Sequence, residues 1–262
     1  MPRVMTNNGY QIGYEEAGDG EATPIVFLHG VGSDKSVWRP QLEHFGKARR
    51  AVAFDYPGYG DSDSAPEGTS RDDYASAIIS AMHEIGIDRA HICGLSLGGV
   101  VAIAINHSDE KRCASLILAD TFAVHPDGRS IYERAMTASE NLHAMAQARV
   151  DMLLAQPAAP RVRREVVETM SKIDPQAYCI GAEAVWLADQ RDRAIKIRVP
   201  TLVIVGDQDL ITPPALSEEL ARLIPNARMQ VIEDAGHISN LEKPAEFNDA
   251  LDRFIGELES LA

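Results

Sequence analysis

The sequence predicts an α/β fold: a mostly parallel, eight-stranded sheet with helices on both faces and one helical insertion. Three observations carry the prediction. Short apolar runs rich in Val, Ile, Leu and Ala recur along the 262 residues, and amphipathic helical patterns separate them. One such run meets Gly94-Leu95-Ser96-Leu97-Gly98, and an alanine-rich helical run follows at once. Between residues 124 and 193 the apolar β-branched runs stop, and only helical patterns remain.

Taken in order, residues 3–18 read as a hairpin. Val4-Met5-Thr6 precedes a turn at Asn7-Asn8-Gly9, and Tyr10, Ile12 and Tyr14 then alternate with Gln11 and Gly13. A loop at Asp19-Gly20-Glu21 leads to a fully apolar third strand, 24–28, which ends in His29-Gly30-Val31-Gly32-Ser33. A helix over 37–45 and a fourth strand over 50–55 follow, then a turn-rich segment from Tyr56 to Asp63. Residues 70–85 predict a helix, because Ser70 and Asp73 resemble a capping pair and Tyr74, Ala77, Ile78, Ala81 and Ile85 share one face. The run before Ser96 is the fifth strand, and 113–119 is the sixth, closed by Asp120-Thr121. Helices are expected over 130–155, 159–172 and 176–188, separated by Pro157, Pro160 and Pro175. Strands at 201–205 and 229–232, with helices at 215–223 and 245–258, complete the chain. Residues 1–123 and 194–262 are thus expected to form the core. Residues 124–193 would be a helical cap after the sixth strand, above the carboxyl edge where open α/β sheets bind ligands.

Composition narrows the function. A net charge of −14 argues against nucleic acid or an anionic membrane as partner. The one basic run, Arg161-Val162-Arg163-Arg164, reads as a solvated helix face. No apolar stretch approaches the roughly 18 residues of a membrane span, and the first residues lack a signal pattern. Cys93, Cys113 and Cys179 are an odd number at unrelated spacings, hence reduced thiols rather than a disulfide or zinc framework. The expectation is a cytoplasmic protein with no cofactor and no metal.

The G-x-S-x-G stretch carries the chemistry. A sharp strand-to-helix turn exposes the Ser96 hydroxyl above the sheet, and side chains at 94 and 98 would collide across so tight a turn. The helix starting there aims its free N–H groups at any oxyanion that forms. A serine nucleophile needs a base. Of eight histidines, only His237 sits in a loop directly after a late strand, among small residues. His83-Glu84 lacks the second histidine of a zinc-protease motif. The acid that orients His237 should also leave a strand end. Asp209 reaches furthest towards the His237 loop, Asp207 better braces the turn, and Asp120 is the rival. Val31 and Leu97 offer the two backbone N–H groups of an oxyanion hole, while His29 reads as a brace for the Val31 loop.

Together His29-Gly30, Gly94-Leu95-Ser96-Leu97-Gly98-Gly99, Gly206-x-x-Asp209 and Gly236-His237 resemble the α/β-hydrolase superfamily, over nearly the whole chain. Val199-Pro200-Thr201-Leu202-Val203-Ile204 and the stretch from Gly236 to Pro244 are similar to the 3-oxoadipate enol-lactonase and carboxylesterase group. A serine at 96 speaks against the dehalogenase branch, which needs an aspartate there. The resemblance implies hydrolysis of an ester or lactone through an acyl-enzyme. Trp38, Phe122 and Trp186 are candidates for an apolar substrate pocket, though each also suits core packing. No phosphate loop or guanidinium cluster marks an anionic ligand, so a small or medium, mostly uncharged ester or lactone is expected, with short polyester chains in range. Carbon–carbon bond hydrolysis or perhydrolysis on the same residues is an alternative, as is a non-catalytic small-ligand receptor.

Overall fold

Seven strands build one sheet: β1 (Arg3–Met5), β2 (Gln11–Leu28), β3 (Arg49–Phe54), β4 (Ala90–Leu95), β5 (Cys113–Ala119), β6 (Thr201–Gly206) and β7 (Arg228–Ile232). This is a computed structural model, and it describes residues 2–260. Its helices are α1 (Arg39–Phe45), α2 (Arg71–Glu84), α3 (Leu97–Ser108), α4 (Gly128–Ala138), α5 (Leu142–Leu153), α6 (Pro160–Ser171), α7 (Pro175–Trp186), α8 (Arg191–Ala194), α9 (Pro214–Leu223), α10 (Ser239–Glu242) and α11 (Pro244–Glu259). Strand order is β1-β2-β4-β5-β6-β7, with β3 paired to β2. The α/β class expected from the sequence is borne out.

The strand count is not. Eight strands were expected with the insertion after the sixth; among the described residues there are seven, and the insertion follows β5. The difference lies in β2, which stays extended through the expected loop at Asp19-Gly20-Glu21. Its first half pairs Tyr14 with Phe54 and Ala17 with Ala51, in opposed order. Its second half pairs Ile25 with Ala51 and Leu28 with Phe54, in parallel. One strand therefore flanks β3 on both edges. Where it crosses over, the backbone of residues 46–49 lies so close that a side-chain carbon on Gly18 would sit 2.5 Å from the Arg49 carbonyl oxygen. Gly18 also holds a positive φ of 76°, so glycine is required there twice over.

The central strands are buried throughout except at Ala114, as parallel strands covered on both faces must be. Helix α3 is buried from Leu97 to Asn106, which accounts for a helix that is apolar all round. It packs with α2 on one side of the sheet, while α1 and α11 pack together on the other. Ser70 caps α2 by accepting from the Asp73 N–H, and the Asp73 carboxylate accepts from the Ser70 N–H at 2.8 Å, the expected capping box.

Register decides where the site falls. Leu28 pairs with Gly94, Leu95 with Ala119, Ala119 with Ile204, and Gly206 with Ile232. The loops that leave β2, β4, β5, β6 and β7 thus emerge along one edge. Between β5 and β6 the chain makes α4–α8, and its two ends are tied where Gln190 N–H donates to the Ala123 carbonyl at 2.7 Å. The single helix expected over 130–155 is broken into α4 and α5 by a 3₁₀ turn at Ser139–Asn141. There the Asn141 side chain accepts from the Ala144 N–H and starts a new helix, as asparagine does at an N-cap. No helix among the described residues is long and apolar enough to cross a membrane.

Candidate active site

Ser96 sits between β4 and α3 with φ 54° and ψ −113°, a backbone region L side chains rarely adopt. The turn is this tight because its flanks touch. A side-chain carbon on Gly94 would lie 2.6 Å from the Gly99 nitrogen, and one on Gly98 would overlap the Leu28 carbonyl oxygen. Ser96 Oγ lies 3.1 Å from His237 Nε2, and His237 Nδ1 lies 2.8 Å from Asp209 Oδ2. Three residues from three strand ends therefore form one hydrogen-bonded chain.

Asp209 and the His237 loop each have further partners. Asp209 Oδ1 accepts from the Ile211 and Thr212 N–H groups at 2.7 and 2.9 Å, and Oδ2 accepts from the Thr212 hydroxyl at 2.7 Å. Burial pushes the Asp209 carboxyl up, but the neighbouring His237 charge and these donors outweigh it and hold the group below its ordinary range. Burial pushes His237 down, while the Asp209 carboxylate against Nδ1 outweighs it and raises the imidazole above 6.5. The His237 loop is pinned by its own N–H to the Leu153 carbonyl at 2.8 Å and by Gly236 N–H to the Glu242 carboxylate at 2.9 Å. Glu242 also accepts from the Ala155 N–H at 2.7 Å, joining this loop to the end of α5.

The rival carboxylates lie elsewhere. Asp120 accepts from Gly206 N–H at 2.9 Å and from the Ser239 hydroxyl at 2.6 Å, tying β5, β6 and α10 together without touching His237. Burial, with the Asp209 charge added to it, raises its carboxyl far above the usual carboxylate range. Asp207 braces the adjacent turn by accepting from the Ala235 N–H at 3.3 Å. His29 is buried with its ring against Tyr56 and Tyr59, and its Nδ1 donates to the Gly30 carbonyl at 2.8 Å. Burial lowers its pKa below the ordinary imidazole range, against the pull of the nearby Asp55 charge.

The loop from Gly30 to Ser33 passes over Ser96; a side-chain carbon on Gly30 would come within 3.4 Å of Ser96 Cβ. Among the described residues, neither the Val31 nor the Leu97 backbone N–H donates to another backbone group. Ser96, His237 and Val31 open on a narrow cavity with Val37, Leu153, Met170, Tyr178, Trp186 and Ile211 among its walls.

Two of the three aromatic residues proposed from the sequence as pocket walls are not on this cavity. Trp38 is fully buried, stacked 4.9 Å from Phe27 and tilted against Phe247, because the preceding 3₁₀ turn points Val37 to the cavity instead. Phe122 is fully buried one layer back, stacked 5.8 Å from Trp186. Trp186 does line the cavity. The sequence reading missed Arg149, which also lines it. Its signal was legible: it stands on the same face of α5 as Leu142, Met145, Ala146 and Leu153, where the pattern calls for an apolar residue.

A parallel sheet with a strained serine between strand and helix, and His and Asp at later strand ends, defines the α/β-hydrolase class. Residues 25–250 match the model of the alpha/beta hydrolase family, and the chain belongs to that family. It is 26% identical to 3-oxoadipate enol-lactonase 1 of Acinetobacter baylyi over 98% of this chain and 97% of that one. Among solved structures it superposes on the enol-lactonase of Burkholderia xenovorans LB400 with a TM-score of 0.90 at 30% identity, covering 97% of this chain and 100% of that one. A thermophilic esterase from Thermogutta terrifontis gives a TM-score of 0.89 at 26% identity, covering 98% of each chain.

Proposed function

We propose that this protein hydrolyses carboxylic esters or lactones, with Ser96 as nucleophile, His237 as general base and Asp209 as the acid that orients it. The observation that carries the reading is the unbroken chain from Ser96 Oγ through His237 to Asp209, opening on a mostly apolar cavity. The esterase and enol-lactonase relatives support the same reaction class. His237 Nε2 takes the Ser96 proton as Oγ attacks the carbonyl carbon, and the Val31 and Leu97 N–H groups receive the oxyanion. Collapse of the tetrahedral intermediate expels the alcohol, which takes its proton from His237. Water, deprotonated by His237, then releases the acid and restores Ser96. The α4–α7 insertion caps the cavity and excludes bulk water, since Met170, Tyr178 and Trp186 all come from it.

The test is hydrolysis of p-nitrophenyl butyrate by wild type and by Ser96→Ala, with folding of both verified by circular dichroism. Wild type is expected to turn over repeatedly, and Ser96→Ala to lose about 10⁶ in kcat. Two inactive proteins, or two equally active ones, would overturn the reading.

A further inference from the structure

Arg149 is placed where a cation has no ordinary reason to be. It lies half-buried on the inner face of α5, among Met145, Ala146, Val150 and Leu153, and it lines the cavity that holds Ser96 and His237. A guanidinium has five N–H donors in a planar fork. Here one of them donates to the Tyr178 hydroxyl, at 3.1 Å, and among the described residues Arg149 pairs with no carboxylate. The other arginines of the insertion behave differently. Arg163 pairs with Asp151, Arg191 with Asp189 and Arg193 with Asp72. Arg129, Arg134, Arg161 and Arg164 are exposed to water. In a chain of net charge −14, an inward-facing arginine without an acid stands out. Partly removing a guanidinium from water without an anion is costly, and an apolar residue would serve the helix better.

Its position suggests what offsets that cost. Arg149, Trp186 and Ile211 line the Ser96 cavity and also a wider outer groove walled by His125, Ile131 and Leu210. The guanidinium therefore stands at the seam a substrate crosses, with the nucleophile further in. We propose that Arg149, steadied by Tyr178, binds a free carboxylate on the substrate, so that the ester or lactone cleaved at Ser96 is an anionic one. This rests on the ester-hydrolase reading above and reverses the mostly uncharged substrate expected from the sequence. A forked carboxylate contact also orients the molecule, setting its scissile carbonyl a fixed number of carbons from the anchored end.

The experiment compares mono-p-nitrophenyl glutarate with its methyl ester, which removes the charge at the far end, and follows release of p-nitrophenol from both. Wild type is expected to favour the free acid in kcat/KM. Arg149→Met is expected to lower the acid-to-methyl ratio by about ten- to a hundred-fold, and Arg149→Lys to restore part of it, since an ammonium supplies charge without the fork. Glutarate should inhibit wild type competitively, and glutaramide should not. Ser96-dependent hydrolysis of both esters with a ratio near one, or a ratio unchanged in Arg149→Met, overturns the subsite and leaves the hydrolase reading intact. If neither ester is hydrolysed, calorimetric titration with glutarate decides: binding lost in Arg149→Met upholds the subsite, and no binding by wild type ends it.

Discussion

Asp209→Asn replaces one oxygen by an amide nitrogen and isolates what the acid does. Asparagine keeps Oδ1, so the bonds from the Ile211 and Thr212 N–H groups, 2.7 and 2.9 Å long, survive and the loop holds its shape. The new NH₂ takes the place of Oδ2, which now accepts from His237 Nδ1 at 2.8 Å and from the Thr212 hydroxyl at 2.7 Å. Facing Nδ1 it can only donate, which drives the imidazole proton to Nε2. That nitrogen then cannot accept the Ser96 proton across 3.1 Å. Loss of the correct tautomer costs about 10⁴ in kcat at unchanged geometry. Asp209→Ala should also lose stability, about 1–3 kcal/mol for each backbone N–H it orphans. Steady-state kinetics on p-nitrophenyl butyrate and urea unfolding read the two effects separately. If Asp209→Asn keeps more than a tenth of wild-type kcat, or if Asp120→Asn loses more, the assignment of the orienting acid is refuted.

Further expectations concern strain, pH and a buried ion cluster. Ser96→Gly should abolish turnover yet raise stability by about 1 kcal/mol, because glycine adopts φ 54° without strain; a lower urea midpoint would contradict this. The kcat/KM profile should rise with pH through an inflection above 6.5, since His237 must be neutral to act as base and Asp209 raises its pKa; an inflection below 6.5 would contradict the pairing. In stability the two partners have opposite signs. The His237 contribution is full below its unfolded pKa of about 6.5 and is lost as pH rises through its raised folded value. The Asp209 contribution is full above about 4 and is lost as pH falls through its depressed folded value. The stability gap between wild type and Asp209→Asn, read by urea titrations across pH, should therefore be widest between the two folded pKa values, where both charges are present. Lys35 Nζ lies 2.6 Å from both Asp55 and Asp61. Lys35→Met leaves Asp55 buried without its cation and should destabilise by about 3–5 kcal/mol, read as a lower denaturant midpoint.

Much of the architecture was legible in the chain itself. Apolar runs bounded by turn residues reveal strands because burial on both faces leaves no polar alternative, and the Ser70–Asp73 cap marks a helix start because its bonds are local. The same holds for Gly94-Leu95-Ser96-Leu97-Gly98, whose glycines answer to contacts within one turn or to the adjoining strand. The late positions of Asp209 and His237 could be ranked for the same reason: each follows a recognisable strand.

Tertiary structure decided whatever depends on what lies across the sheet or above it. Residues 11–28 wrap both edges of β3 because β3, whose paired residues lie 26 to 40 positions further on, offers hydrogen bonds on either side, and no local turn signal records that. Asp120 and Asp209 both end strands, and only the register of β5 against β6 gives one to Ser239 and the other to His237. Val37 rather than the expected Trp38 faces the cavity, through one step of a 3₁₀ turn. Arg149 broke the apolar pattern of its helix in plain view. Sequence alone pointed to the α/β-hydrolase family and to Ser96, Asp209 and His237, which the structure brings into one hydrogen-bonded chain; only the folding of α5 over them showed that a cation lines the same cavity, because a helix's inner face acquires meaning from what it covers.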